Sequence, residues 1–298
     1  MSNFSTGNIS LFNKFSLLWN RLIPGWAERK ISSQLFLFNT QKKKLNKIPK
    51  GFKQDIVKTP DGDINIYQIG RGPTVVFVHG WGGGSYQFLS LMRGLKACGF
   101  TALAFDHLGH ENSENKPATI QQLIKTTNFI LNLVKKNYRE GLYAVVGHDI
   151  GCMVITSAKP ALIKDLPLFL ISPIFNYKLH FLRKLSKLNL HPEILKQYAS
   201  QFVGNYEKEY ARLELAHNLE KYSDVSVIAH DTSDTISPVS DSIKFCTKFP
   251  ITKLLVTKEL DHDRVISSES VWQELKSHLN YEDTTINFSK IVLKELSR

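Results

Sequence analysis

Leu142-Tyr143-Ala144-Val145-Val146-Gly147-His148-Asp149-Ile150-Gly151-Cys152 is the stretch on which the fold is read. The mostly apolar, partly β-branched run up to Gly147 predicts a buried strand. Gly147 and Gly151 then stand two residues either side of Asp149, and the apolar run 152–158 continues as a helix until Pro160. A strand that turns at once into a helix crowds the residues flanking the turn, so glycine is needed there while the central residue accepts strain. That central residue is a carboxylate, Asp149. The chain is organised around it.

Working outward, 64–69 alternates apolar and polar as a half-exposed strand does, and 74–78 is apolar throughout. The glycine-rich His79-Gly80-Trp81-Gly82-Gly83-Gly84 follows, then a helix over about 86–97 and a strand over 99–105. A long helix is expected over about 120–136. Beyond the central stretch, 166–171, 225–229 and 251–256 supply three more buried strands. Apolar strands alternating with helices predict an α/β fold with an open, mostly parallel sheet and helices on both faces. Insertions at the strand carboxyl ends of such a sheet lie over its ligand crevice. Residues 174–223 are therefore expected to form a small helical cap. The predicted organisation is a leader over 1–51, core over 52–173, cap over 174–223, and core again over 224–298 with a last helix at 286–296.

The chain of 298 residues is 42% hydrophobic, enough for a full core and unlike a disordered composition. Its three cysteines, Cys98, Cys152 and Cys246, are far apart and show no disulfide or metal pattern, which points to a reducing, cytoplasmic setting. Residues 1–53 hold ten basic residues against the single acid Glu28, so +9 of the net +11 belongs to the leader. The remaining body is close to neutral, which argues against a nucleic-acid partner. In the leader, 11–23 and 26–38 carry apolar residues at helical spacing. Neither has the layout of a secretory signal, and neither reaches the ~18 apolar residues of a spanning helix. Two readings stay open for 1–53: helices packed on the core, or peripheral contact with an anionic membrane at its inner face. No dinucleotide fingerprint, phosphate loop or metal-ligand spacing occurs, so no cofactor and no metal are expected.

Five motifs in order resemble the α/β-hydrolase superfamily over about 52–280. His79-Gly80-Trp81-Gly82-Gly83 is similar to its oxyanion loop, and Asp106 through Ser113 to the loop after the next strand. Gly147-His148-Asp149-Ile150-Gly151 resembles its nucleophile elbow, Asp231 through Pro238 its acid loop, and Leu260 through Ile266 its histidine loop. The resemblance implies a catalytic set of Asp149, Asp234 and His262, with backbone N–H groups of Trp81 and Ile150 as the oxyanion hole. Glu111 stands where glycine is usual, which affects loop shape. The leader, cap length and acid loop look most like small-cap bacterial hydrolases that carry serine at the elbow. The elbow itself resembles the branch that uses aspartate, the epoxide hydrolases and dehalogenases.

Chemistry arbitrates. A serine hydroxyl needs a base to become a nucleophile, whereas a carboxylate of ordinary pKa about 3.9 is already ionised at neutral pH. Attack by a carboxylate on a carbonyl gives a reactive anhydride. Attack on a saturated carbon bearing an epoxide oxygen or a halide gives an ordinary ester, which water activated by His262 then hydrolyses. Asp234 would orient and stabilise the imidazole. Haloalkane dehalogenases usually place tryptophan after the nucleophile to hold the halide, and fluoroacetate dehalogenases an arginine; here it is Ile150. The expectation is an epoxide first, an apolar small molecule, with a proton supplied by a cap tyrosine among Tyr177, Tyr198, Tyr206 and Tyr210. Two rivals stay open: an esterase-like hydrolase of the serine lineage in which Asp149 acts differently, and a catalytically silent binding protein.

Overall fold

The computed structural model describes Leu22 and residues 47–116, 118–188, 190–209 and 211–279. Apart from Leu22, the predicted leader helices and the predicted last helix lie outside them, as does Tyr210.

Eight strands are described: β1 (Lys53–Thr59), β2 (Gly62–Gly70), β3 (Thr74–Val78), β4 (Thr101–Phe105), β5 (Leu142–His148), β6 (Leu168–Ile171), β7 (Ser226–Asp231) and β8 (Lys253–Thr257). They form one sheet in the order β1-β2-β4-β3-β5-β6-β7-β8. β2 runs antiparallel to both its neighbours, and the pairs from β4 through β8 are parallel. Around the sheet lie α1 (Leu89–Ala97), α2 (Ile120–Asn137), α3 (Ile150–Thr156), α4 (Pro160–Ile163), α5 (Tyr177–Ser186), α6 (Pro192–Glu209), α7 (Leu215–Leu219), α8 (Val239–Lys248), α9 (Asp261–Arg264) and α10 (Glu269–His278). This is the mostly parallel α/β sheet the apolar runs predict, and α5, α6 and α7 fill the stretch between β6 and β7.

Strand β1 is not foreseen in the sequence. Its residues are exposed or half-buried throughout, so Lys53, Asp55 and Lys58 leave no apolar face to detect. Only its register against β2, from Lys53 opposite Gln68 to Thr59 opposite Gly62, makes it a strand. A charged edge of this kind also discourages pairing with a further strand.

The central strands are buried on both faces and divide their side chains by the period of two. Val76, Val78 and Val145 join a cluster with Ile130, Leu131, Met153 and Val154. Val75, Phe77, Ala144 and Val146 join the opposite cluster with Leu91, Leu95, Val271 and Trp272. Helix α2 begins where Thr119 accepts a hydrogen bond from the Gln122 amide at 3.3 Å while Gln122 Oε1 accepts from the Thr119 amide at 2.8 Å. That reciprocal cap satisfies two donors the first turn would otherwise leave unpaired.

Register places the site. Val78 pairs with Phe105 on one side and with Gly147 on the other, so β3, β4 and β5 end level. His148 pairs with Ile171, and Asp231 with Thr257, which carries the same edge across β6 to β8. The loops after β3, β5, β7 and β8 therefore open on one side of the sheet.

Trp272 is fully buried, and a Cβ placed on Gly94 would stand only 2.7 Å from its ring. The indole thus fills the space that glycine leaves between α1 and α10. Trp272→Ala should cost about 3–5 kcal/mol of stability, read as a lowered denaturant midpoint with an unchanged slope.

Candidate active site

Asp149 sits between β5 and α3 with φ 56° and ψ −126°, a backbone region that side chains rarely enter. Three features hold it there. Its amide donates to Ile171 O at 3.1 Å. A Cβ at Gly147 would press on Ile155 Cδ1 at 2.7 Å and on Cys152, and one at Gly151 would collide with the Val78 carbonyl. Helix α3 starts at Ile150, immediately after the turn, so the helix begins two residues earlier than the apolar run suggests.

The Asp149 carboxylate is buried. Its Oδ2 accepts the Trp81 backbone N–H at 2.8 Å, and Gly80 lies so close that a Cβ there would overlap the carboxylate. Its Oδ1 stands 3.4 Å from His262 Nε2 and accepts no hydrogen bond. At that distance the contact is an ion pair and not a short hydrogen bond. His262 Nδ1 donates to Asp234 Oδ2 at 2.7 Å, while Asp234 Oδ1 accepts the amides of Ile236 and Ser237, each at 2.8 Å. Asp149, His262 and Asp234 thus meet, from three separate loops. Of the two expected oxyanion donors, Trp81 points its amide at Asp149, and Ile150 is placed as the first residue of α3.

Electrostatics make this an ion pair. Burial by itself would raise the Asp149 pKa, but the neighbouring His262, His180 and His148 hold it below the ordinary carboxylate value. Burial would likewise lower His262, but Asp149 and Asp234 together raise it to about 10. Asp234 is also held low against its burial, by His230 and His262. At neutral pH the resting state is carboxylate, imidazolium, carboxylate.

Around it stand residues that shape the loops. His148 Nε2 lies 3.0 Å from the His262 carbonyl and its ring packs on His262 at 4.8 Å. His79 Nε2 accepts the His107 amide at 2.9 Å, and His110 Nε2 accepts the Gly82 amide at 3.2 Å. Burial keeps His79 low and brings His110 to about 4, so these two rings tie the glycine-rich loop down as neutral acceptors. Glu111 takes φ 43°, and its side chain occupies the space beside Gly84. His230, unforeseen in the sequence, puts Nε2 3.1 Å from Asp234 Oδ2 and Nδ1 2.7 Å from Ser242 Oγ.

Two of the four expected cap tyrosines have described side chains. Tyr177 is buried with its ring 6.3 Å from that of Trp81, and Tyr198 is packed against the core. The backbone at Tyr206 lies in α6 with its side chain undescribed. The cavity beside Asp149 measures about 200 Å³, and neither Tyr177 nor Tyr198 lines it; Lys184 does, together with Trp81, Tyr86, Gln87 and His262. His180, buried and with Nε2 free of any hydrogen bond, packs its ring 6.0 Å from Trp81. Tyr177, His180 and Lys184 follow at intervals of three and four, so they share one face of α5. That spacing was readable in the sequence. Two larger hollows, about 520 and 480 Å³, contain none of the elbow, acid-loop or histidine-loop residues, whereas Asp149, Ile236 and His262 line the smaller one. Among the described residues there is no group of three or more His, Cys, Asp or Glu placed to hold a metal ion, and no helix long and apolar enough to cross a membrane.

A family model described as alpha/beta hydrolase fold matches residues 73–158. Among solved structures, the chain is similar to an esterase from Pyrococcus furiosus, with TM-score 0.58 and 19% identity over 77% of this chain and 92% of that one. It is similar to a thioesterase domain from the curacin biosynthetic pathway, with TM-score 0.55 and 13% identity over 77% and 99%. It is also similar to an epoxide hydrolase from Vigna radiata, with TM-score 0.52 and 16% identity over 78% and 98%. No curated protein sequence matches the chain. The chain has the α/β-hydrolase fold.

The ion pair has a signature in stability. The lowered Asp149 contributes stability above its unfolded pKa and loses it as pH falls. The raised His262 contributes fully below its unfolded value of 6.5 and loses it as pH rises through about 10. Both contributions are complete between about pH 4 and 6.5. The stability difference between the native chain and His262→Gln should peak in that window and shrink towards pH 10, measured by denaturant unfolding across pH.

Proposed function

We propose that the chain hydrolyses a substrate with an electrophilic saturated carbon, an epoxide first, through an ester formed on Asp149. The observation that carries this is the division of labour between the two carboxylate oxygens. Oδ2 is occupied by the Trp81 amide, and Oδ1 is ionised, unbonded and faces His262. Fold does not choose the chemistry, since the similar structures include esterases and an epoxide hydrolase alike. The carboxylate at the elbow does.

Oδ1 attacks the less hindered epoxide carbon, the carbon–oxygen bond breaks, and an ester on Asp149 and an alkoxide result. The alkoxide takes its proton from the His262 imidazolium, which lines the same cavity and holds Nε2 3.4 Å from Oδ1. Burial holds the His180 pKa at about 4, so that ring is neutral at the pH of reaction and adds no charge to the site. Esterification removes the negative charge that kept His262 protonated. Its pKa falls, its proton goes to the alkoxide, and it becomes the base for water. Water attacks the Asp149 carbonyl, and the oxyanion that forms on Oδ2 is held where the Trp81 amide already points. Collapse returns the diol, the Asp149 carboxylate and the His262 imidazolium. The sum is addition of one water.

Two results are expected. In a single turnover in ¹⁸O-labelled water, label should enter the Asp149 carboxylate and the first product should carry none. His262→Gln should stop at a covalent adduct on the Asp149 peptide, seen by mass spectrometry, and Asp149→Ala should form none. Labelled first product without an adduct would mean that water attacks directly.

A further inference from the structure

We infer that the substrate carries a carboxylate and that Lys184 binds it, so that the preferred substrate is a small epoxy acid; this rests on the alkylation of Asp149. The expectation from sequence was an apolar substrate. The cap lays a different surface over the site. Tyr177, His180 and Lys184 share the inner face of α5, and all three meet Trp81, whose amide holds Asp149. Lys184 Nζ sits 5.8 Å from the centroid of the Trp81 ring and lines the cavity that contains Asp149.

Lys184 is half-buried, and among the described residues no Asp or Glu oxygen lies within 4.0 Å of its Nζ. The ring face of Trp81 steadies the ammonium without neutralising it. Of the other charges at the cavity, two are committed to each other and one is exposed at its rim. Asp149 and His262 pair with each other, and Asp263, at the exposed rim, accepts from Gln87 Nε2 at 3.4 Å. The exposed Arg183 beside Lys184 adds to the positive field felt by His180. An arriving neutral epoxide would displace water from the ammonium and leave it uncompensated, which is costly; a carboxylate replaces that water with a charge-assisted hydrogen bond.

Lys184 also removes an obstacle. Asp149 attacks as an anion, so an anionic substrate is repelled unless a cation stands on the far side of the reacting carbon. The cap places one on the wall of the same cavity, one helical turn beyond His180. Size agrees: about 200 Å³ is below the roughly 300–1,000 Å³ of pockets for drug-sized ligands, and suits an acid of a few carbons. The reaction balances as before, with the epoxide opened by one water and a dihydroxy acid released.

The test uses the full chain and two probes of nearly equal shape, glycidate, which is anionic, and glycidamide, which is neutral. Native protein should process glycidate with a kcat/KM about tenfold or more above that for glycidamide. That preference should shrink with added salt, because the lysine is only half-buried. Lys184→Gln should bring the acid-to-amide ratio down to about one, and Lys184→Arg should restore most of it. Adduct on Asp149 from both probes with equal rates, or a preference that survives Lys184→Gln, overturns the carboxylate assignment alone. Adduct from neither probe overturns the Asp149 reading, and this inference with it. Circular dichroism of Lys184→Gln and its remaining glycidamide turnover show whether the variant is folded.

Discussion

The hydrogen bond from the Trp81 amide to Asp149 Oδ2 is the contact on which the site depends. It joins the loop after β3 to the turn after β5, two strands that pair directly and end level. Neither end can move freely. The turn is held by the Ile171 carbonyl and by glycines that admit no side chain, and the loop is held by His79 and His110 acting as buried acceptors. The strain of φ 56° at Asp149 is therefore supported by the surrounding sheet and not by the turn alone. One carboxylate oxygen is fixed by that support, and the other is left facing the base.

Charge completes what geometry begins. Three buried ionic groups in a row would be costly if any were unpaired, since desolvation exceeds the gain of a poor contact. Here Asp234 receives two amides as well as His262 and His230, and His262 lies between two carboxylates. The base is consequently stored in its protonated form. A base kept protonated by the nucleophile's own charge is released only when that charge is spent in a bond. Order in the proposed two-step reaction follows from this coupling without any movement of the backbone.

The cap supplies a different kind of information. The core places Asp149, His262 and Asp234, whereas α5 decides what is packed on Trp81 beside them. An amphipathic helix normally presents apolar residues to the body it covers. This one buries Phe181 and Leu185 in that way and, beside them, presents Tyr177, His180 and Lys184 to Trp81. Fold alone carries many chemistries, and the selection among them rests on such few residues.

The chain by itself determined the parallel α/β sheet and the level at which its loops meet, because fully apolar strands such as 74–78 and glycine-bounded turns such as 147–151 leave a local trace in the sequence. Asp149, His262 and Asp234 were legible as three motifs in order for the same reason. Strand β1 was not, since an edge strand with charged residues on both faces exists only through its pairing with β2. Nor was the choice among cap residues. Tyr177 and His180 stand three positions apart and are equally visible in the sequence, but only packing decides that the tyrosine ring is spent against Trp81, Phe181 and Phe202 while the histidine keeps an unpaired nitrogen. His230 was silent too, because its partner Asp234 is reached through the acid loop's turn. The contacts of His180 and Lys184 with Trp81, and of His230 with Asp234, join positions whose spacing along the chain carries no such signal, and they exist only once the chain has folded.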